Sequence, residues 1–217
     1  MQLCSCPAAS YLDTIPAVAC AESFGQIQKV AFQRLTLADG TKNSFVTGAS
    51  TAIDKKAAWT AKMALTTSGK IVVSPYIQAP SVEAGEARTF GGGNDTLGGV
   101  ELIIGRNPTQ FSGVMRAVPQ SVIKIMKKLQ CEAVGENLGV FLFDENGAIA
   151  AIQDATTTTT YYPIPIRSLF IGDKGFGGLE APDSNAISWS FLPNYSDNLA
   201  IVTPTDFNPL TDLVPAT

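Results

Sequence analysis

LGVFLFDENGAIAAI, residues Leu138 to Ile152, is the stretch that decides the fold class. Two apolar runs, Leu138 to Phe143 and Ala148 to Ile152, flank Asp144-Glu145-Asn146-Gly147. An Asn-Gly pair supplies the positive φ angles of a two-residue turn whose twist matches that of paired strands, so the stretch reads as a tight antiparallel hairpin. Asp144 and Glu145 stand side by side like a carboxylate pair. Adjacent strand residues point to opposite faces, which argues against shared acid-base work at this tip.

Working outward, Gln26 to Leu35 alternates as a strand does, with Val30 and Phe32 on one face. Lys70 to Ser74, Val100 to Gly105, Thr109 to Met115, Ile164 to Ile171, Ala186 to Phe191 and Leu199 to Val202 read as further strands, and Val100 to Gly105 is expected in the core. The β-branched run Thr156 to Thr160 suits an extended segment leading into Tyr161 and Tyr162. Two helices interrupt the strands. One spans Ala52 to Leu65 after a cap at Ser50 or Thr51, with Ile53, Ala57, Ala61, Ala64 and Leu65 as its stripe and Trp59 at the edge. The other starts at Pro119 and stops at Gly135, with Val122, Ile125, Met126 and Leu129 inward and Lys124, Lys127 and Lys128 opposite. The expected fold is mainly β, an antiparallel sandwich or barrel with one or two flanking helices.

The 217 residues divide into an N-terminal arm (1–24, with Pro7 and Pro16), a β domain (25–203) and a C-terminal tail (204–217). Pro204, Pro209 and Pro215 forbid regular structure in the tail, leaving Phe207, Leu210 and Leu213 as apolar anchors that clasp a neighbour or fray. Gln78 to Gly99 is polar, glycine-rich and too long for an ordinary turn. It reads either as a loop ordered by a partner or as an extended hairpin reaching beyond its domain.

The chain has no histidine. It therefore lacks the side chain that most often moves protons near neutral pH, together with Ser-His and Cys-His nucleophile pairs and imidazole metal sites. Charged residues make up only 16% of the chain and hydrophobic ones 45%, as expected where subunits cover one another. A net charge of -4 argues against a dedicated nucleic-acid module. No apolar run is long enough to span a bilayer, and the first nine residues lack the pattern of a signal peptide, so the expected setting is a cytoplasm. Cys4, Cys6, Cys20 and Cys131 lack paired knuckle spacing, which favours reduced thiols over a four-thiolate zinc site. Asp173, Glu180 and Asp183 lack the ligand alternation of calcium loops. Gly91-Gly92-Gly93 reads as a hinge rather than an anion nest. No catalytic residue, cofactor or metal is expected, and the protein is not expected to be an enzyme.

The order of elements, with VVSPYIQAP (72–80), RTFGGGNDTLGG (88–99) and YYPIPIRSLFIGDKGFGGLEAPDSN (161–185), resembles the tail tube proteins of long-tailed bacteriophages and virion structural proteins of phages of gut anaerobes. The resemblance spans most of Gly25 to Leu213. It implies subunits joined into rings, with a hexamer suspected, and rings stacked into a tube through which DNA passes without sequence-specific binding. It also implies other virion proteins as partners, no membrane, and a place in the virion after assembly in the host cytoplasm. The long segment would be the arm between rings, so the candidate subunit contacts are Gln78, Glu83, Arg88, Phe90, Gly92 and Asn94, joined by Phe207 and Leu210 of the tail. A capsid decoration or head-tail connector protein is the alternative in the same class. A ligand-binding β module with Trp189, Tyr161 and Tyr162 as its platform is the alternative from another, although the alternation around Trp189 favours core packing.

Overall fold

The Asn-Gly turn closes as its sequence requires. Gly147 has φ +83°, and Leu142 and Phe143 pair antiparallel with Ala150 and Ile149. The Asp144 carboxylate locks the reversal, one oxygen accepting from the N–H groups of Asn146 (3.0 Å) and Ala148 (2.7 Å) and the other from Gly25 N (3.0 Å). This buried carboxylate serves backbone donors, which is a structural role.

The computed structural model describes residues 14–15, 17–18, 23–46 and 52–214. In chain order the elements are β1 (Ile27–Arg34), β2 (Phe45–Val46), α1 (Lys56–Ala64), β3 (Ile71–Val73), β4 (Gln78–Glu83), β5 (Ala87–Phe90), β6 (Leu102–Arg106), β7 (Thr109–Arg116), α2 (Gln120–Val134), β8 (Leu138–Asp144), β9 (Ile149–Gln153), β10 (Thr160–Tyr162), β11 (Ile164–Ile171), β12 (Ser184–Phe191), β13 (Leu199–Val202) and α3 (Pro209–Asp212). Every pairing among them is antiparallel. The chain divides into two compact units, 24–84 with 108–217 and 1–23 with 85–107.

In the larger unit, β1, β8, β11, β12, β7 and β4 follow one another around a barrel. The circuit returns to β1 where Ser74 N and Ile77 N donate to Val30 O (2.8 Å) and Gln28 O (2.7 Å). Period-2 alternation then sends successive residues of one strand into two different cores. Val30, Phe32, Leu138, Val140, Leu142, Phe111, Ile187, Trp189 and Phe191 form the first, which α2 covers with Ile123, Met126 and Ala133. Ala31, Phe141, Phe143, Ile149 and Ala151 form the second, under Trp59 of α1 and Leu210 and Leu213 near the C-terminus. All seven residues of β8 are buried, which is why the run is continuously apolar instead of alternating.

Several expectations change. The first helix begins at Lys56 and is capped from afar, since Lys56 N donates to Asp206 Oδ1 (2.9 Å), a carboxylate that also suits the helix dipole. The expected caps Ser50 and Thr51 lie outside the described residues. Trp59 sits at the centre of the second core, not its edge: it is buried, its Nε1 donates to Ile53 O (2.7 Å), and its ring lies 5.1 Å from that of Phe141. On α2, Ile123 is inward and Ile125 exposed, because both positions fit a helical stripe and the barrel selects the first. Thr157 starts a turn rather than a strand, since Asp154 Oδ1 accepts from Thr156 N and Thr157 N, both at 2.8 Å. Among the described residues the tail is anchored rather than frayed. Asn208 caps α3 through Leu210 N (2.9 Å), with Pro209 in the first turn where its missing N–H costs nothing.

Candidate assembly interface

The segment Gln78 to Gly99, read as a partner-ordered loop or an extended hairpin, is divided by the structure between a sheet strand and one arm of a hairpin. Gln78 to Glu83 form a sheet strand, with Gln78 opposite Val114 and Glu83 opposite Gln110. Beyond it the chain makes a second hairpin, in which β5 pairs with β6 from Ala87↔Arg106 to Phe90↔Leu102 with a bulge after Arg88. Gly91, Gly92 and Gly93 all have positive φ (89°, 107° and 58°), and Thr96 pins the reversal: its Oγ1 accepts from Gly92 N (3.2 Å) and donates to Val100 O (2.6 Å). A Cβ on Gly91 would lie 2.1 Å from the Thr96 methyl. These glycines serve a closed turn, in place of the expected hinge.

What this hairpin presents is apolar. Phe90, Leu97, Val100, Leu102, Ile103 and Ile104 are all exposed, from 45% at Ile104 to 104% at Leu97. Directly opposed residues share a face, so Phe90 and Leu102 lie on one side and Ile103, with Thr89, on the other. The expectation that Val100 to Gly105 is a core strand is therefore corrected. An apolar run shows that a strand must be covered, and here the described chain does not cover it. Two-stranded hairpins are marginal alone in water, and a hairpin bare on both faces gains most from neighbours on both.

Of the candidate contacts, Arg88, Phe90, Gly92 and Asn94 are brought together on this hairpin, while Gln78 and Glu83 lie on the barrel sheet. Leu210 is corrected: it is buried in the chain's own second core, while Phe207 is half-buried against the same cluster. Lys29 fixes that segment. Its buried ammonium donates to Leu210 O (3.0 Å) and Leu213 O (2.9 Å) and lies 5.2 Å from the centre of the Tyr76 ring, while Tyr76 Oη donates to Leu210 O (2.8 Å). Burial lowers the Lys29 pKa. Composition misses the exposed Leu97, Phe176 and Leu179. Their one signal is that each is a large apolar residue set among glycines.

Most of the residues weighed for ligand chemistry are engaged within the fold, while Glu180 is exposed. Trp189 is buried and stacked on Phe111 at 3.8 Å, and Tyr162 Oη donates to Asp154 Oδ2 (3.1 Å). Asp173 pairs with Lys127, which holds its carboxyl below the usual range, and Asp183 pairs with Lys174 at 3.7 Å. Among the described residues no three His, Cys, Asp or Glu side chains group as a metal site, and no helix is long and apolar enough to cross a membrane. Cys131 is an exposed thiol on α2, while Cys4, Cys6 and Cys20 lie outside the described residues.

Neither a protein-family model nor a curated protein sequence matches the chain. Solved structures similar to it include the following two. One is the tail of an empty GTA particle computed with helical refinement in C6 symmetry (TM-score 0.34, 14% identity, 65% of this chain and 91% of that one). The other is the 6-fold symmetrised cryo-EM structure of the anti-feeding prophage (AFP) baseplate (TM-score 0.33, 9% identity, 89% of this chain and 99% of that one).

Proposed function

We propose that the protein is a structural subunit of a bacteriophage virion, specifically a tail tube subunit that self-assembles into stacked, six-membered rings around a channel for DNA. The observation that carries this reading is the β5–β6 hairpin, whose two faces both present exposed apolar side chains. Such a hairpin fits a subunit embedded between neighbours better than one working alone. The barrel's own cores are well filled, so the exposed apolar surface is concentrated rather than a sign of a poor core. The protein does no chemistry in this role: it has no histidine, and its buried carboxylate Asp144 and buried amine Lys29 are both spent on backbone groups. Its partners are further copies of itself and other virion proteins. DNA passes without base-specific contact, and the subunit is made in the host cytoplasm before it joins the virion.

Negative-stain micrographs of the purified protein test this. Tubes of uniform diameter with a central channel are expected. Small closed oligomers that add only to preformed shells would replace the tube reading with a capsid decoration protein, since closed and open assemblies follow from different interface symmetry.

A further inference from the structure

The barrel carries a surface that complements the hairpin. Between the segment containing β3 and the N-terminal half of α2 lies a groove of about 630 Å³, walled by Val72, Pro75 and Tyr76 on one side and by Pro119, Val122 and Ile125 on the other. Lys29 also lines it, but its ammonium is held by the Leu210 and Leu213 carbonyls. Arg116 reaches the groove from the end of β7, and exposed Lys128 follows Ile125 by one helical turn on α2, beyond the groove's lining. Neither Arg116 nor Lys128 has an acidic partner among the described residues. At the hairpin tip the signs are reversed. Asp95 and Glu101 flank exposed Leu97 and Val100, and neither carboxylate has a basic partner among the described residues.

We propose that this groove receives the tip of the β5–β6 hairpin from a second copy of the chain. Leu97 and Val100 seat over Val122 and Ile125, and Asp95 and Glu101 face Arg116 and Lys128. Both halves of the contact lie on one sequence, with apolar matched to apolar and acid to base, which favours another copy over an unrelated partner. The two patches differ, so the contact is heterologous and passes from copy to copy instead of closing on itself as a two-fold interface does. The proposal rests on the reading that the subunits self-assemble, and it names the surface that would receive the arm.

Full-length protein carrying the photoreactive p-benzoylphenylalanine at position 97 tests it, in an equal mixture of isotopically heavy and light chains examined in parallel by electron microscopy. Cross-links joining heavy to light chains within 119–128 are expected. Replacing Asp95 and Glu101 by Lys should raise the concentration needed for assembly about tenfold or more. Mixing that variant with Arg116→Glu, Lys128→Glu chains should restore assembly. Tubes whose cross-links fall elsewhere would overturn the docking and leave the tube reading standing. Cross-links within 119–128 in particles that are closed would keep the docking and remove the tube. A chain that stays monomeric at every concentration would remove both.

Discussion

Two hairpins built from the same ingredients meet opposite fates in this molecule. β8–β9 and β5–β6 both join strands carrying branched or aromatic side chains through a glycine turn. All of β8 is buried, one face by the barrel interior and the other by α1 and the C-terminal segment. All of β5, and all of β6 except Gly105, is exposed. Strand pairing is thus separable from cover. The first hairpin finds its cover in the rest of the chain, and the second is left exposed by the described residues.

Emptying the covered side should have the largest effect. Phe141→Ala removes a buried ring that meets both Phe45 (5.5 Å) and Trp59 (5.1 Å) and should cost about 3–5 kcal/mol in chemical denaturation. A loss below 1 kcal/mol would show that the second core does not hold β8.

A smaller effect is expected from loosening the cover itself. Lys29→Met removes two charge-assisted bonds to the C-terminal segment and should destabilise by about 1.5–3 kcal/mol, with earlier proteolysis near residue 210. Because burial lowers the Lys29 pKa, the unfolded chain binds more protons at this site between the lowered value and that of an ordinary lysine. Wild-type stability therefore carries a contribution that rises with pH through that window, and the cost of burying the charge is present in full below it. Lys29→Met should flatten the rise. An identical pH profile in the variant would mean that the ammonium is not desolvated.

The smallest change in stability belongs to the bare hairpin. Ile103→Ser should shift unfolding by no more than about 0.5 kcal/mol, as exposed substitutions do, while sedimentation shows assemblies lost. A cost approaching that of Phe141→Ala would place Ile103 in the chain's own core.

Much of the β framework was legible because it is written locally. Asn146-Gly147 marked the covered hairpin, Pro119 the start of α2, and Leu199 to Val202 the last strand with its observed bounds. The alternation of Ile187, Trp189 and Phe191 correctly put Trp189 in the core. The exposed hairpin was only half legible. Its glycines announced a long excursion, but Leu102, Ile103 and Ile104 give the same signal as a buried strand. The C-terminal reading failed for a related reason: three prolines obscured Asn208-Pro209, itself a helix-start signal, and nothing nearby reveals that Lys29 holds Leu210 and Leu213.

Local chemistry sets where the chain turns, which stretches extend and which residues must leave water, because φ preferences, missing N–H groups and side-chain period act over a few residues. What covers each apolar face is set by long-range packing. That choice depends on groups far apart in the chain, such as Asp206 capping α1 or Leu213 closing the second core. It also left β5–β6 bare, for the described chain brings no such distant segment to cover it.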